Sequence, residues 1–128
     1  MRFISLLFAV MLTGCSTIQG WIPSFSDANQ SRSIIDLRLS IEQLDCTGDQ
    51  LAQAERIRAN IRWFLLYSES KGRRQQDVIR VVEPLEETVN DMIKRSRDHQ
   101  GSKGYCEIKK KIMAAQAERA SAAVLGRF

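Results

Sequence analysis

Apolar residues recur along this chain at alternating intervals of three and four, the period of a helix with one buried stripe. Ile34, Leu37, Ile41 and Leu44 form the first such series, which Asp45, Cys46, Thr47 and Gly48 interrupt. Thr47 and Gln50 have the spacing of a capping box and predict the start of a second helix. That helix carries Leu51, Ala54, Ile57 or Arg58, Ile61 and Leu65, and the composition of Ser68 to Gly72 suits a turn after it. Val78, Val82, Leu85, Val89 and Met92 make a third series, with Pro84 in its middle. Proline lacks the backbone donor and crowds the preceding turn, so a kink or a restart is expected there. A restart puts Pro84 in the first turn together with Glu86 and Glu87, where the helix dipole favours acids. Gly101 to Gly104 form the next break, with Ser102 as the cap of a last helix containing Ile108, Ile112, Ala115 and an alanine-rich end to Leu125. No run alternates with the period of a strand. Short connections favour antiparallel neighbours, so the expectation is an all-α fold: a small antiparallel four-helix bundle, its third helix kinked or broken at Pro84.

The N-terminus has a different pattern. Arg2 precedes an apolar run from Ile4 to Leu12, followed by Leu12, Thr13, Gly14 and Cys15. Positive, apolar and small-residue regions in that order are those of a secretory signal. The run of about ten apolar residues is well short of the roughly 20 that span a bilayer. The ending resembles the lipobox of bacterial lipoproteins, and the resemblance implies cleavage before Cys15 and lipidation of its sulfur and new amino terminus, with acyl chains such as palmitate. Ser16 after that cysteine implies sorting to the outer membrane, with the protein lipid-anchored and facing the periplasm. Several acyl chains hold far more firmly than one. The expected organisation is a signal peptide over 1–14, a lipidated N-terminus and tether over 15–30, and a bundle over 31–128. The tether contains Trp21, Ile22, Pro23 and Phe25 among polar residues. Those aromatics either sit at the lipid interface or cap one end of the bundle.

Charge changes the picture little. Nineteen Lys and Arg against fifteen Asp and Glu give +4, which falls to about +3 once a leader holding Arg2 and no acid is removed. The two signs are mixed along every segment, as on a solvated helical surface, and a nucleic-acid partner is not expected. The cysteines say more. In an up-down-up-down bundle the end of the first helix and the start of the fourth share one end, and Cys46 and Cys106 fall at those places. An exported protein permits a disulfide between them; the alternatives are two buried thiols or a zinc pair short of ligands. Closing a loop of about 60 residues stabilises by roughly 4 kcal/mol in the chain-entropy model.

Candidate chemistry is sparse. His99 is the single histidine and falls in a polar helix exit, where it reads as a solvated residue rather than a base. Glu83, Glu86 and Glu87 lack the loop spacing of a calcium site, and no glycine-rich phosphate cradle is present. The expectation is a non-enzymatic protein with no metal, no cofactor and no small-molecule substrate. Lys109, Lys110 and Lys111 turn about 100° each and so read as solvated, or as a contact with anionic lipid. The anomaly is Trp63, Phe64, Leu65, Leu66 and Tyr67, five consecutive large apolar residues that cover a helix's whole circumference. They lie either beneath a loop or beside the kink at Pro84, or else in a groove that binds another protein's amphipathic helix.

Taken together, the lipobox at Cys15, Cys46 closing the first helix, and Cys106 opening the last with Ile108 and Ile112 after it resemble the helical pilotins of type II secretion. These are small outer-membrane lipoproteins that bind a helix of a secretin subunit and bring it to the outer membrane. The resemblance is architectural and implies an envelope protein partner, such as a secretin. Two other readings stand beside it: a structural envelope lipoprotein, or a phage- or plasmid-derived one that excludes competitors or bridges membranes; and a regulatory lipoprotein partner of an envelope enzyme or sensor.

Overall fold

The computed structural model describes residues 27–98 and 101–126. The leader, Cys15, the aromatic residues of the tether and His99 lie outside the described residues. Four helices follow one another: α1, Ala28–Glu42; α2, Gln50–Ser70; α3, Gln76–Asp98, entered through a 3-10 turn at Arg73–Gln75; and α4, Lys103–Leu125. Each packs on its sequence neighbour and α1 closes the ring against α4, with no strand among the described residues. This is the expected antiparallel four-helix bundle. Cys46, in the α1–α2 loop, is disulfide-bonded to Cys106 in the first turn of α4, their Cα atoms 5.6 Å apart. The cross-link ties the two outer helices at the end of the bundle opposite Asp27.

The core follows three of the four predicted stripes. Ile34, Leu37 and Ile41 of α1, Ile57 and Ile61 of α2, and Val82, Leu85 and Met92 of α3 are fully buried. Ile57 rather than Arg58 is therefore the inward residue of its turn. Gly72 joins α2 to the 3-10 turn with φ +89°, a backbone conformation that only glycine adopts without strain.

Several local expectations are replaced. The cap of α2 is Asp49, which accepts from the Ala52 amide, and not Thr47. Thr47 instead gives its amide and hydroxyl to Asp45, which holds that carboxyl below its ordinary range, while Gln50 donates back to the Cys46 carbonyl. Helix α1 begins at Ala28, inside the stretch assigned to the tether, because Asp27 caps it by accepting from the amides of Asn29 and Gln30. Helix α3 runs through Pro84 without restarting. The reason is its placement: Pro84 and Arg80, whose carbonyl loses its donor, are both on the exposed side of the helix. Val82 and Leu85, meanwhile, are held in the core on the other side. Glu86 consequently sits in mid-helix, not at an N-terminus, and pairs with Arg62 of α2 at 3.5 Å.

The largest difference concerns α4. Its buried series is Cys106, Met113, Ala117, Ala120 and Val124, whereas Ile108, Ile112 and Ala115 face outward. Two overlapping series with helical spacing run along this segment. The bundle selects the one that contains the disulfide cysteine and the smaller side chains.

Candidate functional site

Two surfaces are candidates for binding. The first surrounds the end of α2 where the described chain begins. Asp27, besides capping α1, accepts from the Tyr67 hydroxyl at 2.9 Å and pairs with Lys71 at 2.9 Å. Burial pushes its carboxyl up, but the Lys71 ammonium, the Tyr67 hydroxyl and the two helix amides more than reverse this and hold it below the ordinary carboxylate range. Lys71 is raised in turn, by Asp27 first and then by Tyr67, over whose ring its ammonium sits at 4.9 Å. Beneath this cluster the buried Gln30 side chain donates to Ser68 at 2.9 Å and to Gln75 at 3.2 Å, joining α1, α2 and the 3-10 turn.

The five consecutive apolar residues divide here. Phe64 and Leu65 are buried core residues and present nothing to a partner. Trp63 and Leu66 are 49% and 53% exposed, and Tyr67 is half-buried. Trp63 stacks on Tyr67 with ring centroids 5.0 Å apart, and borders an open groove of about 300 Å³ shared with Asn29, Arg32, Asp36 and Asn60. The structure thus leaves only the outer half of the predicted binding residues accessible. Around them Arg32 is paired to Asp36, Arg62 to Glu86 and Lys71 to Asp27.

The second surface is the outer side of α4. Ile108 and Ile112 are 60% and 42% exposed and lie one helical turn apart. Beside them Tyr105 donates to Asp91 of α3 at 3.0 Å, and Lys109 pairs with the same carboxylate. Lys109 and then Tyr105 hold Asp91 below its ordinary range; burial first and Asp91 second push the Tyr105 phenol up to about 12. Arg95 sits over the Tyr105 ring, 5.1 Å from its centroid. The lysine run is therefore not uniformly solvated. Lys109 is committed to Asp91, Lys110 donates to the Leu44 carbonyl at 2.8 Å, and only Lys111 of the three is exposed.

Sequence reasoning missed the outward position of Ile108 and Ile112 and the exposure of Ile35 and Leu39 on α1. The available signal was the second series in α4 beginning at Cys106. If that cysteine is buried in a disulfide, Ile108 two residues later is turned about 200° away from it. Asp27 as a hub carried no signal, because its partners Tyr67 and Lys71 are some 40 residues distant.

Among the described residues no group of three His, Cys, Asp or Glu is placed to hold a metal ion, and no helix is long and apolar enough to cross a membrane. An open cleft of about 580 Å³ beside the disulfide is lined by both signs of charge, Glu42 and Glu107 with Lys103 and Lys111. Compared with protein-family models, with curated proteins and with solved structures, the chain matches none.

Proposed function

We propose that this protein is a non-enzymatic, lipid-anchored binding module of the bacterial envelope, fixed to the outer membrane by acyl chains on Cys15 and facing the periplasm. In this reading it acts as pilotins do: it takes hold of a helix of a partner such as a secretin subunit, and its lipid supplies the membrane address. The observation that carries the reading is the combination of a closed core with large apolar side chains left outside it. Phe64, Met92 and Met113 are wholly buried in the interior, yet Trp63, Leu66, Ile108 and Ile112 remain outward on two helices. Scattered apolar residues are ordinary on a protein surface, but paired ones on helix faces are how amphipathic partners are recognised. The disulfide at the far end of the bundle supports an oxidising compartment.

Address and grip are separable in such a device. Cys15→Ser is expected to move the protein from the membrane to the soluble fraction while leaving partner capture in vitro intact. Fractionation and affinity purification of the variant measure both. An unlipidated wild-type product in the cytosol, with Cys46 and Cys106 reduced, overturns the reading. Loss of capture by a folded, disulfide-closed Cys15→Ser protein overturns it as well.

A further inference from the structure

We propose that the apolar segment just before the bundle, Trp21 to Phe25, folds back and packs on the outer face of α2 at Trp63, Leu66 and Tyr67. Two observations meet there. The first is where the chain enters. Asp27 accepts from the Tyr67 hydroxyl at 2.9 Å and pairs with Lys71, and Asn29 donates to the same hydroxyl at 3.1 Å, so the backbone that leads into α1 is fastened beside the Tyr67 ring. The second is what that ring adjoins. Trp63 stacks on Tyr67 with the rings nearly parallel, at 7°, yet Trp63 and Leu66 stay exposed, and Trp63 forms one wall of the groove that Asn29, Arg32, Asp36 and Asn60 help to complete.

Connectivity selects the occupant. The stretch from Ser16 to Ser26 holds no charged residue, and Trp21, Ile22 and Phe25 are gathered at its end, next to Asp27. Phe25 precedes Asp27 by two residues and Trp21 by six, which at about 3.4 Å per residue is a reach of about 7 and 20 Å. Tyr67 touches Asp27 itself and Trp63 is one ring further on, so both fall within that reach. Pro23, Ser24 and Ser26 suit the reversal that brings the segment back over the bundle. A segment joined to its site this closely is present there at a concentration on the order of millimolar, so a separate protein of equal affinity at micromolar concentration does not displace it. The exposed isoleucines of α4 have no such neighbour, since Ile108 lies two residues from Cys106 at the end of the bundle away from Asp27.

The contact is independent of the lipid anchor, because residues 21–25 precede Asp27 whether or not a leader is removed. Where Cys15 is lipidated, docking also sets the geometry at the membrane. The twelve residues from Cys15 to Asp27 reach at most about 41 Å when extended, whereas with Trp21 docked the six residues from Cys15 to Trp21 reach about 20 Å. The docked segment thus holds the Asp27 end of the bundle close to the bilayer and covers the Trp63 surface. A partner helix that uses this surface has to lift the segment first.

The test uses the full-length chain in its own cells, with a benzophenone amino acid at position 21 or at position 25. After irradiation the adduct is sized on a denaturing gel and its crosslinked peptides are sequenced. The expected result is an adduct at the mass of one chain, from both positions, confined to the part of α2 that holds residues 60–67. Trp63→Ser lowers the yield from position 21 about tenfold, as loss of an aromatic anchor does, and Trp63→Phe restores most of it. Thermal melts separate loss of docking from loss of folding, and Leu66→Ser, at the more exposed neighbour, lowers the yield too.

Adducts with lipid place the aromatics in the membrane and overturn the proposal. So do adducts with another protein, adducts at twice the mass of the chain, and adducts scattered over several faces of the bundle, the mark of a segment with no seat. Silence from both positions overturns it as well. In each case the binding-module reading keeps its own test in Cys15→Ser.

Discussion

Helices α3 and α4 lie side by side and are both 23 residues long, yet they distribute their apolar residues in different ways. In α3 the valines, leucine, isoleucines and methionine fall on one side, and Arg80, Glu83, Glu87, Asn90 and Lys94 occupy the other. In α4 there is no such division: methionine, valine and small residues face inward while two isoleucines face out. A helix with a single apolar stripe has one way to pack. A helix apolar on two sides has a choice, and the side left over is available for a partner. The contrast also shows why proline is tolerated in α3 and a lysine run in α4. The rest of each helix is so firmly placed by its neighbours that local preferences give way.

Removing the cross-link that fixes the first turn of α4 acts most strongly. Cys46→Ala with Cys106→Ala is expected to lose up to about 4 kcal/mol, read from urea unfolding. Helix α3 has no such brace, and its apolar stripe is held by packing. Met92→Ala in its stripe is expected to cost about 3 kcal/mol, whereas Ile112→Ser on the outside of α4 changes stability by less than about 0.5 kcal/mol. Equal costs for the two would mean that the outer stripe of α4 is core.

Pro84→Ala tests the continuity of α3 in the opposite direction. Within a helix interior alanine is better than proline by up to about 3 kcal/mol, so the variant is expected to be more stable. If Pro84 instead began a new helix, the substitution would be neutral or harmful, since proline is favoured there. The melting midpoint decides between them.

The smallest effects are in the pH dependence of the contact between the two helices. Asp91 is held low, so its contribution is present above the ordinary carboxylate pKa of 3.8 and is lost as pH falls below that value. Asp91→Asn is expected to flatten the acid limb of stability below the ordinary carboxylate pKa. Tyr105 behaves with the opposite sign. Its phenol is raised from 10.0 to about 12, so its contribution is complete below pH 10 and declines as pH rises toward 12. Tyr105→Phe removes that alkaline decline, and chemical unfolding at pH 9 and 11 measures it.

Much of this molecule was legible from residue order. The stripes of α1, α2 and α3, the breaks at 45–48, 68–72 and 101–104 and the Ser102 cap follow from helical period and turn chemistry, which act over a few residues, and the Cys46–Cys106 pairing follows once those helices are stacked in order. Bundle topology followed too, because short connections leave antiparallel packing as the simple arrangement. Lipidation at Cys15 is an expectation of the same local kind.

Interactions between distant segments were decided only by the tertiary structure. Which half of Trp63 to Tyr67 faces water depends on where α1 and α3 flank α2. Whether Ile108 or Cys106 turns inward depends on the disulfide and on the narrow space left by three completed stripes. Asp27, Gln30 and Lys109 acquire their roles from partners 18 to 45 residues away. Periodicity records that a residue shares a face with its neighbours along the helix, but it carries no information about what that face meets.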